Sequence, residues 1–114
     1  MALDKELIGK NIREIREKVL KDKRITLAME ISLSEVQLGR IERGETLASI
    51  EIIEQVARLG GVSIDDITHG KDISNKYGID MRLAMMIRHA SAEEKELYLE
   101  LLTTINKSRF KKSS

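Results

Sequence analysis

At 114 residues, 41% hydrophobic and 34% charged, the chain has material for one compact domain with an extension, and not for two independent cores. It contains no cysteine, which removes disulfides, thiolate metal sites and cysteine nucleophiles, and no apolar run approaches the roughly 18 residues of a membrane span. The net charge of +1 divides into 11 Lys/Arg against 13 Asp/Glu over residues 1–70 and 9 against 6 over residues 71–114, which is not the balance of a strongly basic nucleic-acid binder. The opening MALDKELIGKNIREIREK scatters charges through its apolar positions and does not read as a signal peptide, so a soluble cytoplasmic protein is expected. With no proline and 3% aromatic residues, periodicity rests on Leu, Ile, Val and Met, and it comes at helical spacing. An all-α fold is the expectation.

Ile8, Ile12, Ile15, Val19 and Leu20 form a stripe through the first helix, with Lys10, Arg13, Arg16 and Glu17 around it and Asp4 placed to cap its start. Asp22 is expected to cap a second helix over 23–31, with Ile25, Leu27, Ala28 and Ile31 facing inward. Ser32-Leu33-Ser34 makes a three-residue turn, and Ser34 can cap a third helix over 35–43 that stops at Gly44. At about 100° per residue, Leu38, Ile41 and Glu42 share one side of that third helix, while Val36, Gly39, Arg40 and Arg43 share the other. The outer side is therefore small and cationic. Two helices joined in this way have the connection a helix–turn–helix pair demands.

Ser49 is placed to cap a fourth helix over 50–59, with Ile50, Ile53, Val56 and Ala57 inward and Gly60-Gly61 at its end. Ser63 caps a short fifth helix, and Val62, Ile64 and Ile67 close the core before a boundary near residues 69–72. Beyond it Asp80 is expected to cap a helix over 81–89, and Ser91 with Glu94 makes a capping box for a helix over 92–106. Met81, Ala84 and Met85 line one side of the first of these and Leu83, Met86 and Ile87 another; in the second, Leu97, Leu101 and Ile105 sit beside Tyr98 and Leu102. Two short helices cannot cover so much apolar surface alone. A second chain is the expected cover, with Met81, Leu83, Met85, Met86, Ile87, Leu97, Leu101 and Ile105 at the interface; folding back onto the first five helices is the other arrangement left open.

From Ile8 to Ile67 the residues IGKNIREIREK, LSEVQLGRIERG and SIEIIEQVARLGGVSIDDI resemble the Cro/CI-type, lambda-repressor-like helix-turn-helix DNA-binding domain. The resemblance implies a five-helix DNA-binding domain over 1–70 and a two-helix oligomerisation extension with a basic tail over 71–114. It implies that the helix after Ser34 enters the major groove while the preceding helix crosses the backbone above it. By position in the family motif, Glu35, Val36 and Arg40 would face base edges, where arginine can donate twice to guanine, glutamate accept from cytosine and valine touch a thymine methyl. Lys23, Arg24, Ser34, Gln37 and Arg43 would lie nearer phosphates, and the family's pairing of this glutamate with a first-helix arginine would join Arg16 to Glu42. The chain departs from the pattern by what reads as a one-residue insertion within Leu20-Lys21-Asp22-Lys23-Arg24, and by Gly39 where serine is common, a glycine that would let the backbone lie close to DNA.

Function under this resemblance is a sequence-specific transcriptional repressor, bacterial or phage-encoded and nucleoid-associated when bound. It would act on a palindromic operator as a homodimer, with a tetramer and a protein antagonist as open partners beside double-stranded DNA. The alternative is a protein-interaction module, antitoxin-like or anti-regulator, favoured by 3 Lys/Arg against 7 Asp/Glu over residues 35–70. His69 and His89 are lone and far apart, Asp65-Asp66 and Glu93-Glu94 suit helix starts, and no nucleotide fingerprint or nucleophile–base set occurs, so neither an enzyme, a metal site nor a cofactor is expected.

Overall fold

The computed structural model describes residues 3–71 and 79–113, with the side chains of Met81 and of residues 110–113 outside the description. The expected interface role of Met81 lies outside it too. Seven α-helices and no strand occur among the described residues: α1 Lys5–Glu14, α2 Arg24–Glu30, α3 Glu35–Glu42, α4 Ile50–Gly60, α5 Ile64–His69, α6 Ile79–His89 and α7 Ala92–Ser113. No helix among them is long and apolar enough to cross a membrane.

The chain does not leave α1 at Glu14 but continues through π-helical turns over Ile15–Leu20. A π-helix closes i→i+5 bonds and so takes up an extra residue without a break. Lys21 then turns out of the helix at φ +56°, and the Asp22 N–H donates to the Arg16 carbonyl at 2.9 Å. Asp22 is thus spent on closing α1. Contrary to expectation it does not cap α2, whose N-cap is Lys23 with no side-chain bond.

One core is shared by α1 through α5, built on Ile8, Ile12 and Ile15 of the first helix with Leu27, Leu38, Ile53, Val56 and Ile67 against them. Two expected inward positions are corrected: Ile25 and Ile50 are 49% and 55% exposed, because each lies in the first turn of its helix, on the solvent side of the entering loop. α1 crosses α3 without room to spare. A Cβ on Gly9 would stand 2.0 Å from the Ile41 carbonyl oxygen, so only glycine lets the two backbones meet. Asn11, fully buried, reaches the other neighbour: its side-chain amide donates to the carbonyls of Ile67 and Gly70, both at 2.9 Å, satisfying acceptors that the end of α5 leaves without helical partners.

α6 lies across the end of α4. A Cβ on Gly61, which ends α4 at φ +66°, would meet Met86 and the Arg82 carbonyl, and Arg58 of α4 donates to the His89 carbonyl at the end of α6 at 3.1 Å. Asp80 falls inside the first turn of α6 instead of capping it. α7 is capped by Ser91 and Glu94, whose reciprocal bonds are 3.0 and 3.1 Å, and it runs on to Ser113, well past the expected end at Asn106. Those bonds from Ser91 also hold the Glu94 carboxyl below its ordinary range.

Gly9→Ala gains helix propensity of about 1 kcal/mol but drives a methyl group into the α3 backbone. Urea unfolding should show a net loss of about 1–3 kcal/mol with an unchanged slope. A more stable variant would mean that α1 and α3 do not touch there.

Candidate nucleic-acid interface

The segment that presents chemistry to solvent is α3 and the turn feeding it. Ser32 takes a left-handed conformation at φ +58°, reversing the chain so that the Leu33 N–H bonds back to the Ala28 carbonyl at 2.8 Å. Ser34 then starts α3 with a full capping box: its hydroxyl accepts from the Gln37 N–H at 3.1 Å, and the Gln37 side-chain oxygen accepts from the Ser34 N–H at 2.9 Å. Leu38 and Ile41 bury the back of the helix, and Gly44 ends it at φ +77°.

Glu42, on that back face, is buried between two arginines. Arg16 makes a two-pronged contact, Nε to Oε2 at 2.7 Å and an NH2 nitrogen to Oε1 at 3.0 Å, while its third nitrogen donates to the Asp22 carbonyl at 3.0 Å. Arg24, from the first turn of α2, adds a bond from Nε to Oε1 at 3.1 Å. One carboxylate therefore joins α1, α2 and α3. The side-chain hydrogen bond to Glu42 raises the pKa of Arg16 above its already high ordinary value, so the guanidinium stays charged. Two guanidinium groups against one carboxylate leave a surplus positive charge beneath α3, on the partly exposed side of Arg24.

On the opposite face Val36 is 62% exposed, and Glu35, Gln37, Arg40 and Arg43 are also open to solvent. Arg43 forms a surface ion pair with Glu45, of the kind that contributes little in water. Gly39 is not bare: it is buried beneath the Arg43 guanidinium and the Arg24 stem, so this glycine makes room for arginines and not for a closely approaching backbone. Lys23 is exposed at the start of α2, and Ser34 at the start of α3. A shallow cleft of about 300 Å³ separates α3 from the start of α4, and Leu47 and Ser49 line it together with Gln37 and Arg40.

The sequence did not single out Arg24 as a partner of Glu42, because the pairing depends on the π-helical turns that set where α2 begins. Leu47 was missed as well; an exposed leucine in a loop carries no periodic signal. The interface candidates of the extension separate: Leu83, Ile87, Leu97, Leu101 and Ile105 are exposed, while Met85 and Met86 are half-buried and Met86 packs on Gly61. Among the described residues no cluster of His, Asp and Glu could hold a metal ion.

Removing Glu42 strands two cations. Glu42→Ala should cost about 3–5 kcal/mol in chemical unfolding, whereas the apolar double substitution Arg16→Met with Glu42→Leu should recover most of that loss. If Glu42→Ala alone were neutral, the carboxylate would not be buried between the arginines.

A helix-turn-helix family profile matches residues 12–67, the stretch that runs from α1 to α5 and contains the capped α3. Among solved structures, that of the clp gene regulator ClgR from Corynebacterium glutamicum is similar over 88% of this chain and 94% of that one, at 23% identity and a TM-score of 0.52, a likeness of fold. No curated protein matches the sequence. Residues 12–67 form a helix-turn-helix domain of the kind found in DNA-binding transcriptional regulators.

Proposed function

We propose that the chain is a sequence-specific repressor that binds a palindromic operator as a homodimer, with α3 of each subunit in successive major grooves about 34 Å apart. The observation that carries this reading is the exposed row Val36, Arg40 and Arg43 on a helix whose back is fixed by Leu38, Ile41 and Glu42. Arg40 donates to a guanine, Glu35 accepts from a cytosine and Val36 contacts a thymine methyl. Arg43, Lys23, Ser34 and the amide nitrogen of Gln37 hold phosphates, joined by the nitrogens of Arg24 that Glu42 does not use. Repression follows from occupancy of the promoter. The structurally similar protein is described as a regulator of clp genes, which supports the regulatory part of the reading.

The division of labour places DNA binding in residues 1–70 and self-association in residues 71–114. The exposed leucines of α7 support it, since no described element of the chain covers them. Near-neutral net charge favours the second reading, a module that binds a protein partner. Retention on random duplex DNA at low salt separates the two: the repressor is retained and the module passes through.

Arg40→Ala should lose about 1–3 kcal/mol of discrimination at one operator base pair while keeping its affinity for random duplex. Arg43→Ala should weaken every sequence alike and make the fall of affinity with salt shallower. Fluorescence titrations on duplexes selected from a random pool measure both. A pool without two-fold symmetry, or two variants that bind as the parent does, would remove the proposal.

A further inference from the structure

α7 carries its charge in two blocks. Glu93, Glu94, Glu96 and Glu100 with a single Lys95 occupy its first half, whereas Lys107, Arg109, Lys111 and Lys112 occupy its second half with no acidic residue. Between the blocks runs an exposed stripe at i, i+4, i+8: Leu97, Leu101 and Ile105 are 62%, 61% and 47% exposed. The stripe is symmetric about Leu101, the net charge changes sign from the first half to the second, and a two-fold there sets Glu93 opposite Arg109.

We propose that α7 pairs antiparallel with α7 of a second copy of this chain, about a two-fold axis at Leu101. The inference rests on the homodimer reading above and adds its orientation. In this arrangement Leu97 packs on the partner's Ile105 and the acidic first half of each helix lies along the basic second half of the other. A parallel pair would set glutamates against glutamates and cations against cations, and like charges so placed repel. Such a surface is complementary to its own copy under a two-fold rotation, the geometry of an isologous dimer. Ala92 lies nine residues before Leu101, so the two α7 helices begin about 27 Å apart along the rod at 1.5 Å per residue. That separation is of the order of one DNA turn, and it puts the two reading domains at opposite ends of the helix pair.

The absence of native cysteine makes the orientation directly readable by cross-linking in the full chain. A disulfide needs Cα atoms within about 7 Å, and antiparallel pairing offsets each Leu97 from its own copy by about 12 Å along the axis. Under mild oxidation Leu101→Cys should therefore form a covalent dimer alone. Leu97→Cys and Ile105→Cys should each stay uncoupled alone and cross-link when mixed. Self-coupling of Leu97→Cys and of Ile105→Cys without the mixed product would establish a parallel pair and overturn the orientation. So would a wild-type dimer in sedimentation that gives no cross-link at any of the three positions. A wild-type monomer would instead remove the homodimer reading, and the orientation with it. Charge exchange gives an independent readout: Arg109→Glu should raise the dimer dissociation constant at low salt, and adding Glu93→Lys should restore it. Failure of that restoration, with the folded helix content unchanged, overturns the pairing.

Discussion

A carboxylate buried under a short helix is the interaction on which the proposed DNA-reading surface depends. Desolvating Glu42 without partners would cost several kcal/mol, so the fold holds only if arginines arrive from other elements with correct geometry. Arg16 provides the two-pronged contact from the π-helical end of α1, and Arg24 closes the triangle from α2. Because the cluster lies mostly out of water, added salt screens it far less than it screens α3's outward arginines. Position and binding are therefore governed by separate sets of charges.

That separation matters because α3 is only eight residues long. A helix of two turns has too few internal bonds to persist alone, so its geometry comes from outside it: the capping box at Ser34, the contact with Gly9 and the grip on Glu42. None of these uses Glu35, Val36, Arg40 or Arg43. Of these outward side chains Arg43 covers Gly39 and pairs with Glu45, while Glu35, Val36 and Arg40 hold no part of that frame and are available for chemistry. Under the proposed function, a chain with a net charge of +1 would meet a polyanion through the field of Arg40, Arg43, Lys23 and the surplus at Arg24, gathered on two short helices.

Where hydrophobic period and capping residues spoke together, the sequence was legible: Asp4, Ser34, Ser49 and Ser63 all cap the helices they precede, and the all-α class follows from the same spacing. It misled wherever a residue's role depended on distant partners. Asp22 has the composition of an N-cap, yet its backbone is taken by Arg16. Ile25 and Ile50 fit the inward period but sit where the chain is still entering its helix. Asn11 reads as a polar interruption of an apolar stripe, and only the approach of α5 shows what it satisfies. Gly39 looks like an opening for another molecule and proves to be the space in which two arginines of the same chain lie. The outer face of α3 followed from one helical wheel because it is local to eight consecutive residues.

Pairing through the extension is useful to a regulator only if the extension is fixed to the reading helix, since a swivel between them would leave the spacing of two α3 helices undefined. The contacts that prevent a swivel run in an unbroken path. Met86 of α6 presses on Gly61, and Arg58 and the His89 carbonyl tie the far end of the same helix. One residue earlier, Gly60 is packed so closely that a Cβ there would stand 2.8 Å from Ile15, the neighbour of Arg16. From Arg16 the path continues through Glu42 into α3. Apart from the exposed Arg58–His89 hydrogen bond, each link is a close-packed contact or a buried ionic bond, and interiors of this density transmit displacement instead of absorbing it. In the proposed dimer the separation of the two reading helices is therefore set by the helix pair and delivered to DNA through the core, and the small residues at the end of α4 are where that delivery is most easily interrupted.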